Sequence, residues 1–403
     1  MKKIGNKRLG IALDIGTTEV KGALVDLETA RDMSTSGAPN EQKAFGQDII
    51  TRLGLAMEAK GRRLLNKKVA DTIDNLIKKL LNDTGCSQDA VKEIVAVGNS
   101  AMYHLLLMIK PDDLARAPFK PSESSLKEKR AEDVGIGIAK GARFRFLPNM
   151  GGFVGSDALG SILATRIHKK KNYSVIMDVG TNGELVLGSK EKIFVASCAS
   201  GPAFEGRHIS CGMPAIDGAI TGSRIISNRM RFATVGDTEP RGVSGSGLID
   251  VVSILVDKGI IGRDGRMKKK RFDLYEGSGK NIYITQEDIR QIQLAKAAFA
   301  SGLEIMRRKA NIEWNQLDTF YITGAFGRGI DKKNAKNISL IPRELNPNKI
   351  LFLKEGALSG AKAFLLHSGQ LTEEIDEILS ICAHIELHKE RDFQDIYADA
   401  TRF

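Results

Sequence analysis

No Cys-x-x-Cys pair and no cysteine–histidine cluster occurs in the 403 residues, which carry only four cysteines: Cys86, Cys198, Cys211 and Cys382. That spacing matches no zinc or iron–sulfur motif. Buried or incidental thiols are expected, with a cluster bridging two subunits as the alternative. None of the six histidines has a partner at ligand spacing. No apolar run approaches the roughly 20 residues that span a bilayer, and the basic start reaches Asp14 too soon for a secretory signal. A cytoplasmic protein without membrane association is expected. No aromatic-interleaved strand or recognition helix accompanies the basic runs at residues 127–130, 169–171 and 268–271. The formal charge of +11 therefore speaks for a solvated basic face or an acidic protein partner, and against nucleic acid.

What is present is a repeated turn. Leu13-Asp14-Ile15-Gly16-Thr17-Thr18 sits inside IALDIGTTEVKGALVD, and Met177-Asp178-Val179-Gly180-Thr181-Asn182-Gly183-Glu184 inside VIMDVGTNGELVLGS. Each reads as a β-hairpin, an apolar run followed by an Asp-x-Gly-Thr turn and a second apolar run. Glycine lets backbone approach a phosphate, while neighbouring amides and threonine hydroxyls donate to it. Asp14 and Asp178 suit a hard Mg²⁺ ion, directly or through its waters. Two copies imply two similar half-molecules facing one ligand, and a nucleoside triphosphate with its metal fits them.

The repeat divides the chain near residue 168, giving an N-terminal lobe of residues 1–168 and a C-terminal lobe of residues 169–403 with its tail. In the first, helical pieces over residues 45–81 break near Gly61. Residues 93–97 read as a buried strand, Gly98-Asn99-Ser100 starts an apolar helix, and residues 111–140 form a surface excursion. Small residues from Gly151 to Ser161 run into a helix suited to close contact between the lobes. In the second lobe, Gly245-Ser246-Gly247 opens a helix and a long helix runs over residues 287–308 behind Thr285. Residues 320–327, FYITGAFG, are a buried strand entering a glycine turn. Gly356-Ala357-Leu358-Ser359-Gly360 places small residues on a second helix, the counterpart of the first.

The two hairpins, the two small-residue helices and the Gly324-Ala325-Phe326-Gly327 turn resemble the superfamily of acetate and sugar kinases, large heat-shock chaperones and actin. Within it, GNSAMYHLLL, LPNMGGFVGSDALGSI, DVGTNGELVLGSKEKIFVASCASGPAFEGRHISCGM, SGSGLIDVV, DIRQIQLAKAAFASG and YITGAFG are similar to the ATPase domain of reductive activators of corrinoid proteins. The similarity runs from residue 9 to the C-terminus. It implies an α/β, actin-like ATPase fold of two ribonuclease-H-like lobes with a nucleotide cleft between them, and a homodimer. It also implies hydrolysis of ATP, with Mg²⁺, to drive an electron into a corrinoid protein or methyltransferase, taking Co(II) to Co(I). Members described as corrinoid activators carry an iron–sulfur domain at one end, whereas this sequence opens at the first hairpin strand. No intrinsic iron–sulfur cluster is therefore expected, and a separate ferredoxin-like protein is expected to supply the electron. A small-molecule kinase of the same superfamily, or an ATPase activator of another redox enzyme, is the alternative.

By residue matching, Asp14, Gly16, Thr17 and Thr18 form the first phosphate turn, and Asp178, Gly180, Thr181, Asn182 and Gly183 the second. Asp178 is expected to orient the attacking water and Asp14 to hold hydrated Mg²⁺, two roles that are open to exchange. Gly324 and Gly327 are expected to let the adenosine lie against backbone, and Gly245 and Gly247 to open a helix whose N-terminus faces the nucleotide. Asp157 is expected to meet a magnesium-bound water or to serve as an ordinary helix-start carboxylate. Glu184 and Glu205 are further candidate cleft acids.

Overall fold

The first apolar run forms a strand, β1 (Leu9–Ile15), buried everywhere except at the half-buried Asp14. Such a run suits a strand covered on both faces. It belongs to a computed structural model that describes residues 8–116, 119–227, 229–277, 281–326 and 329–403. These form two units, one of residues up to 169 with 355–384, the other of 170–354 with 385–403.

In the first unit, β1 pairs antiparallel with β2 (Glu19–Asp26), which pairs antiparallel with β3 (Arg31–Pro39). Helices α1 (Ile49–Ala56) and α2 (Ala59–Thr84) follow, then β4 (Val91–Gly98), parallel to β1, and α3 (Ser100–Leu106). Strands β5 (Lys127–Arg130) and β6 (Arg143–Phe146) complete the order β3-β2-β1-β4-β6-β5, and α4 (Ser156–Thr165) comes after them.

The helix break near Gly61 and the excursion over residues 111–140 both differ from expectation. The helices part at Met57 and Glu58, and Gly61 lies inside α2, where a Cβ would stand 2.1 Å from the Leu55 carbonyl oxygen. The glycine permits a tight corner; it does not end a helix. Residues 111–140 are not all surface excursion: the charged run pairs with β6 as an edge strand, and Ala131, Val134 and Ile136 behind it are buried. Charge on a sheet edge discourages pairing with other chains.

The second unit repeats this connectivity. Strands β7 (Ser174–Val179), β8 (Gly183–Gly188) and β9 (Ile193–Cys198) form an antiparallel meander. A smaller sheet follows, made of β10 (Ala219–Ile226), β11 (Arg229–Thr234) and β12 (Gly242–Val243), then α5 (Gly245–Asp257) and the hairpin β13 (Arg271–Tyr275) with β14 (Ile282–Thr285). The long helix α6 (Gln286–Ala310) starts with a reciprocal cap between Thr285 and Asp288. Strand β15 (Phe320–Gly324) returns parallel to β7, and after α7 (Lys332–Asn337) β16 (Ile350–Phe352) lies parallel to β15.

Helix α8 (Gly356–Ser380) then packs in the first unit, against β1, β4 and α4. Both small-residue helices thus belong to the first unit, a difference from the C-terminal lobe and the contact between lobes expected for them. The reason is their fit to each other. A Cβ on Gly360 would lie 1.9 Å from the Gly160 carbonyl oxygen, so the backbones touch where side chains would hold them apart. Strand alternation places α8 and α2 on opposite faces of the sheet: Leu365 meets β1 at Gly10, while Leu76 and Leu80 meet β2 at Gly22 beside Leu13. In the second unit, α9 (Phe393–Ala400) packs on α6, and the buried Lys296 donates to the carbonyls of Ala400 and Arg402. No described helix is long and apolar enough to cross a membrane.

The α4–α8 contact predicts that Gly360→Val costs about 1–3 kcal/mol of stability through overpacking, read as a lower urea midpoint. An unchanged midpoint contradicts the contact.

Candidate functional site

In the first unit the hairpin turn is held by its carbonyls. Asn40 donates from Nδ2 to the Gly16 carbonyl at 3.0 Å and from its backbone N–H to the Thr18 carbonyl at 3.0 Å. Arg52 donates from Nη1 to the Thr17 carbonyl at 2.8 Å and from Nε to the Gly46 carbonyl at 2.8 Å. In a trans peptide the N–H points opposite to the C=O, so drawing these carbonyls inward turns the following N–H groups of Thr17 and Thr18 outward. Asn99 caps α3, its Oδ1 accepting from the Met102 N–H, and this fixes its Nδ2 to donate to Thr17 Oγ1 at 3.0 Å. The Thr17 hydroxyl proton is left to donate elsewhere. Asp14 sits opposite Lys21 in the hairpin register.

Arg52 is fully buried and makes no ion pair with the described residues. Burial pushes its guanidinium down to about 10, still charged at neutral pH, and its Nη2 has no hydrogen-bond partner. A positive charge thus lies directly behind the turn, where the low-dielectric surroundings favour an anion in front of it.

The second turn has the same plan with one reversal. Ser200 donates from Oγ to the Gly180 carbonyl at 3.0 Å, again drawing the backbone oxygen inward. Here, however, the Thr181 hydroxyl donates to Glu205 Oε1 at 2.7 Å, so it presents lone pairs outward. Asp178, half-buried, lies opposite the buried Glu184 and beside Thr323 of β15. Gly324 has φ +72°, and a Cβ there would fall 2.2 Å from Asp178 Oδ1 and 2.3 Å from the Val179 carbonyl oxygen. Only glycine fits against that turn.

The structure brings together Asp14, Gly16, Thr17 and Thr18 in the first unit. It joins Asp157 to this corner indirectly: Ser156 Oγ bonds to the backbone of Gly98, next to Asn99, and Asp157 accepts from the Ala158 N–H at 2.8 Å. In the second unit it gathers Asp178, Gly180, Thr181, Asn182, Gly183, Glu184, Glu205 and Gly324. Gly245 abuts the Phe204 carbonyl and Gly247 the Ile220 carbonyl, so both serve close backbone packing at the start of α5. Gly327 lies outside the described residues. Among the described residues no three His, Cys, Asp or Glu side chains group into a metal cage. The donor set fits a hydrated Mg²⁺ carried by phosphates, which needs only one or two protein carboxylates.

Sequence reasoning missed Arg52, Asn40 and Asn99. Asn99 signalled itself only as a helix start, and Arg52 looks like any polar residue of a surface helix.

The chain also matches known proteins. Residues 9–170 match the family model described as the RACo middle region, and residues 172–403 the C-terminal domain of RACo, the ASKHA domain. The chain is similar to the corrinoid activation enzyme RamQ of Eubacterium limosum, 32% identical over 98% of this chain and 70% of the relative. It is also similar to the [Co(II) methylated amine-specific corrinoid protein] reductase of Methanosarcina barkeri, 24% identical over 96% of this chain and 76% of the relative. A solved structure of a reductive activator for a corrinoid, iron–sulfur protein superposes with a TM-score of 0.89 at 32% identity, covering 100% of this chain and 67% of that one.

Replacing Arg52 by methionine removes the charge behind the first turn and should weaken MgADP binding about tenfold, or about 1.4 kcal/mol, by titration calorimetry. Unchanged affinity contradicts the electrostatic role. Burial, with the nearby Glu184 charge, raises the Cys198 thiol far above its usual range, and Cys211 is also buried. An aromatic disulfide reagent at pH 8 should therefore modify Cys86 and Cys382 first, and Cys198 and Cys211 only after denaturation.

Proposed function

The chain belongs to the RACo family, and from that membership we propose that it is an ATP-hydrolysing activator that returns a corrinoid protein from Co(II) to Co(I) for methyl transfer. One observation carries the nucleotide part of this reading. Two acidic turns, each backed by inward-drawn carbonyls, occupy the same place in two repeats of an actin-like ATPase fold.

The turns divide the work by the direction of their threonine protons. Thr17 and the outward N–H groups of Thr17 and Thr18 donate to phosphate oxygens, with Arg52 adding positive potential from behind. Thr181, its proton held by Glu205, offers lone pairs suited to an ordered water. This supports Asp178 as the group that orients the attacking water and Asp14 as the one that holds the waters of Mg²⁺. Bound Mg²⁺ supplies neutralisation of phosphate charge. Asp157, at the start of α4, is the proposed acceptor from one of its waters.

Nucleotide binding and hydrolysis matter to the client only if they change how tightly the client is held in each oxidation state. Shifting a one-electron couple by about 200 mV needs about 4.6 kcal/mol of such differential binding. Delivery of the electron by a separate ferredoxin-like protein belongs to the same proposal. No disulfide joins the described cysteines, which suits the reducing cytoplasm. The homodimer implied by the family resemblance belongs to the same proposal, and sedimentation tests it.

Asp178→Ala should bind MgATP within about threefold of wild type, yet lose at least about tenfold in phosphate release, as expected for a group acting mainly after binding. With a purified corrinoid protein and a low-potential reductant, wild type should produce the Co(I) absorbance with MgATP and not with MgADP. Failure with every corrinoid protein of the same cell, alongside phosphate transfer to a small metabolite, would sink the activator reading.

A further inference from the structure

The second unit carries a surface that the nucleotide chemistry leaves unused. Strand β11 is the outer strand of the order β11-β10-β12, and β13 pairs only with β14, so each has an edge with no partner strand among the described residues. A cavity of about 550 Å³ lies where these strands meet, lined by Met230, Arg231, Phe232, Pro240, Leu274 and Tyr275 among others. Phe232 and Tyr275 stand edge to face with ring centroids 6.5 Å apart, and the Tyr275 hydroxyl donates to Glu239 at 3.2 Å, so the two strands are already braced. Along β11 the half-buried Met230 and Phe232 alternate with the exposed Arg229 and Arg231.

Charge decides the occupant. Arg224, Arg229, Arg231, Lys268, Lys269 and Lys270 are exposed and make no ion pair with the described residues. The register sets Arg224 directly opposite Arg231, a like-charge pair that destabilises the hairpin until an anion lies across it. Of the acidic side chains nearby, Asp273 is held by Arg271 and Glu239 by Tyr275, and the exposed Glu276, which also lines the cavity, is outnumbered by these basic groups. A second copy of this face would set basic groups against basic groups. An open strand edge offers N–H and C=O groups to another peptide backbone, which nucleic acid does not have.

We propose that the free edges of β11 and β13 dock an extended, acidic segment of a partner protein by strand addition. Met230, Phe232, Leu274 and Tyr275 receive its alternate apolar side chains, and Arg229 and Arg231 its carboxylates. The proposal rests on the activator reading only for the identity of that partner, the corrinoid protein client.

Hydrogen exchange of the full chain, with and without ligand, tests it. The probes are an octapeptide of alternating valine and glutamate, its valine–lysine counterpart, an oligothymidylate, and a purified corrinoid protein with MgATP. The acidic peptide and the corrinoid protein should slow exchange at residues 229–234 and 271–275. Arg229→Glu with Arg231→Glu should weaken both about tenfold, leaving basal ATP hydrolysis unchanged. That variant also replaces the Arg224–Arg231 repulsion by attraction, so loss of binding is not loss of fold, and Arg231→Lys should retain binding. If wild type binds no corrinoid protein while the acidic peptide still protects both strands, the client reading fails and the docking surface stands. If the corrinoid protein binds without protecting these strands, or binds the double variant equally well, the surface is overturned and the client reading stands. Equal binding of both peptides, or preferential binding of oligothymidylate, also overturns it.

Discussion

Parallel pairing between the strand that ends in an acidic turn and a strand that ends in glycine governs both sites. β1 runs antiparallel to β2 but parallel to β4, so its hairpin turn and the end of β4 emerge at one edge of the sheet, with Ile15 beside Gly98. β7 stands in the same relation to β15, with Val179 beside Gly324. Strand pairing alone therefore delivers a turn, a glycine and the start of the following segment to one place. The carboxyl ends of parallel strands are where α/β proteins receive ligands. A slip of one residue would carry Asp14 and Asp178 to the other face of their sheets.

Repetition of the frame does not make the two turns equivalent. Each has its carbonyls drawn inward, by Asn40 and a buried guanidinium in one and by a serine in the other, but the threonine hydroxyls differ: Thr17 accepts from Asn99, whereas Thr181 donates to Glu205. The result is one turn rich in outward protons and one with an outward lone pair beside a carboxylate.

The parts of the fold legible in the sequence are those encoded by neighbours in the chain. The hairpins, the turn residues, the Gly324 strand end and the Thr285 cap all follow from short patterns. Arg52 was not legible, because an arginine on an amphipathic helix is ordinarily solvated; its burial depends on the carbonyls of Thr17 and Gly46 lying within reach. The charged run at residues 127–130 read as solvent-facing, which is true of its side chains, while its backbone pairs with β6. Assignment of α8 was out of reach for a related reason. The sequence shows that Gly356–Gly360 wants a close neighbour, but only the three-dimensional partner, Gly160, says which. The open edges of β11 and β13 are likewise properties of sheets and not of strands.

The interleaving of the two units bears on the order in which they can form during synthesis. The first unit needs α8 to cover the face of its sheet opposite α2, and α8 is made only after residues 170–354 of the second unit. The second unit in turn needs Ala400 and Arg402 to meet Lys296 on α6. Neither core can close while its late segment is still within the ribosome, so the nascent chain holds two unfinished sheets at once. Small residues at the late contacts then have a second use: Gly160 and Gly360 let a helix dock onto a preformed surface with few side chains to rearrange. An N-terminal half released alone would expose the apolar face that α8 covers, and such a fragment is a natural substrate for chaperones.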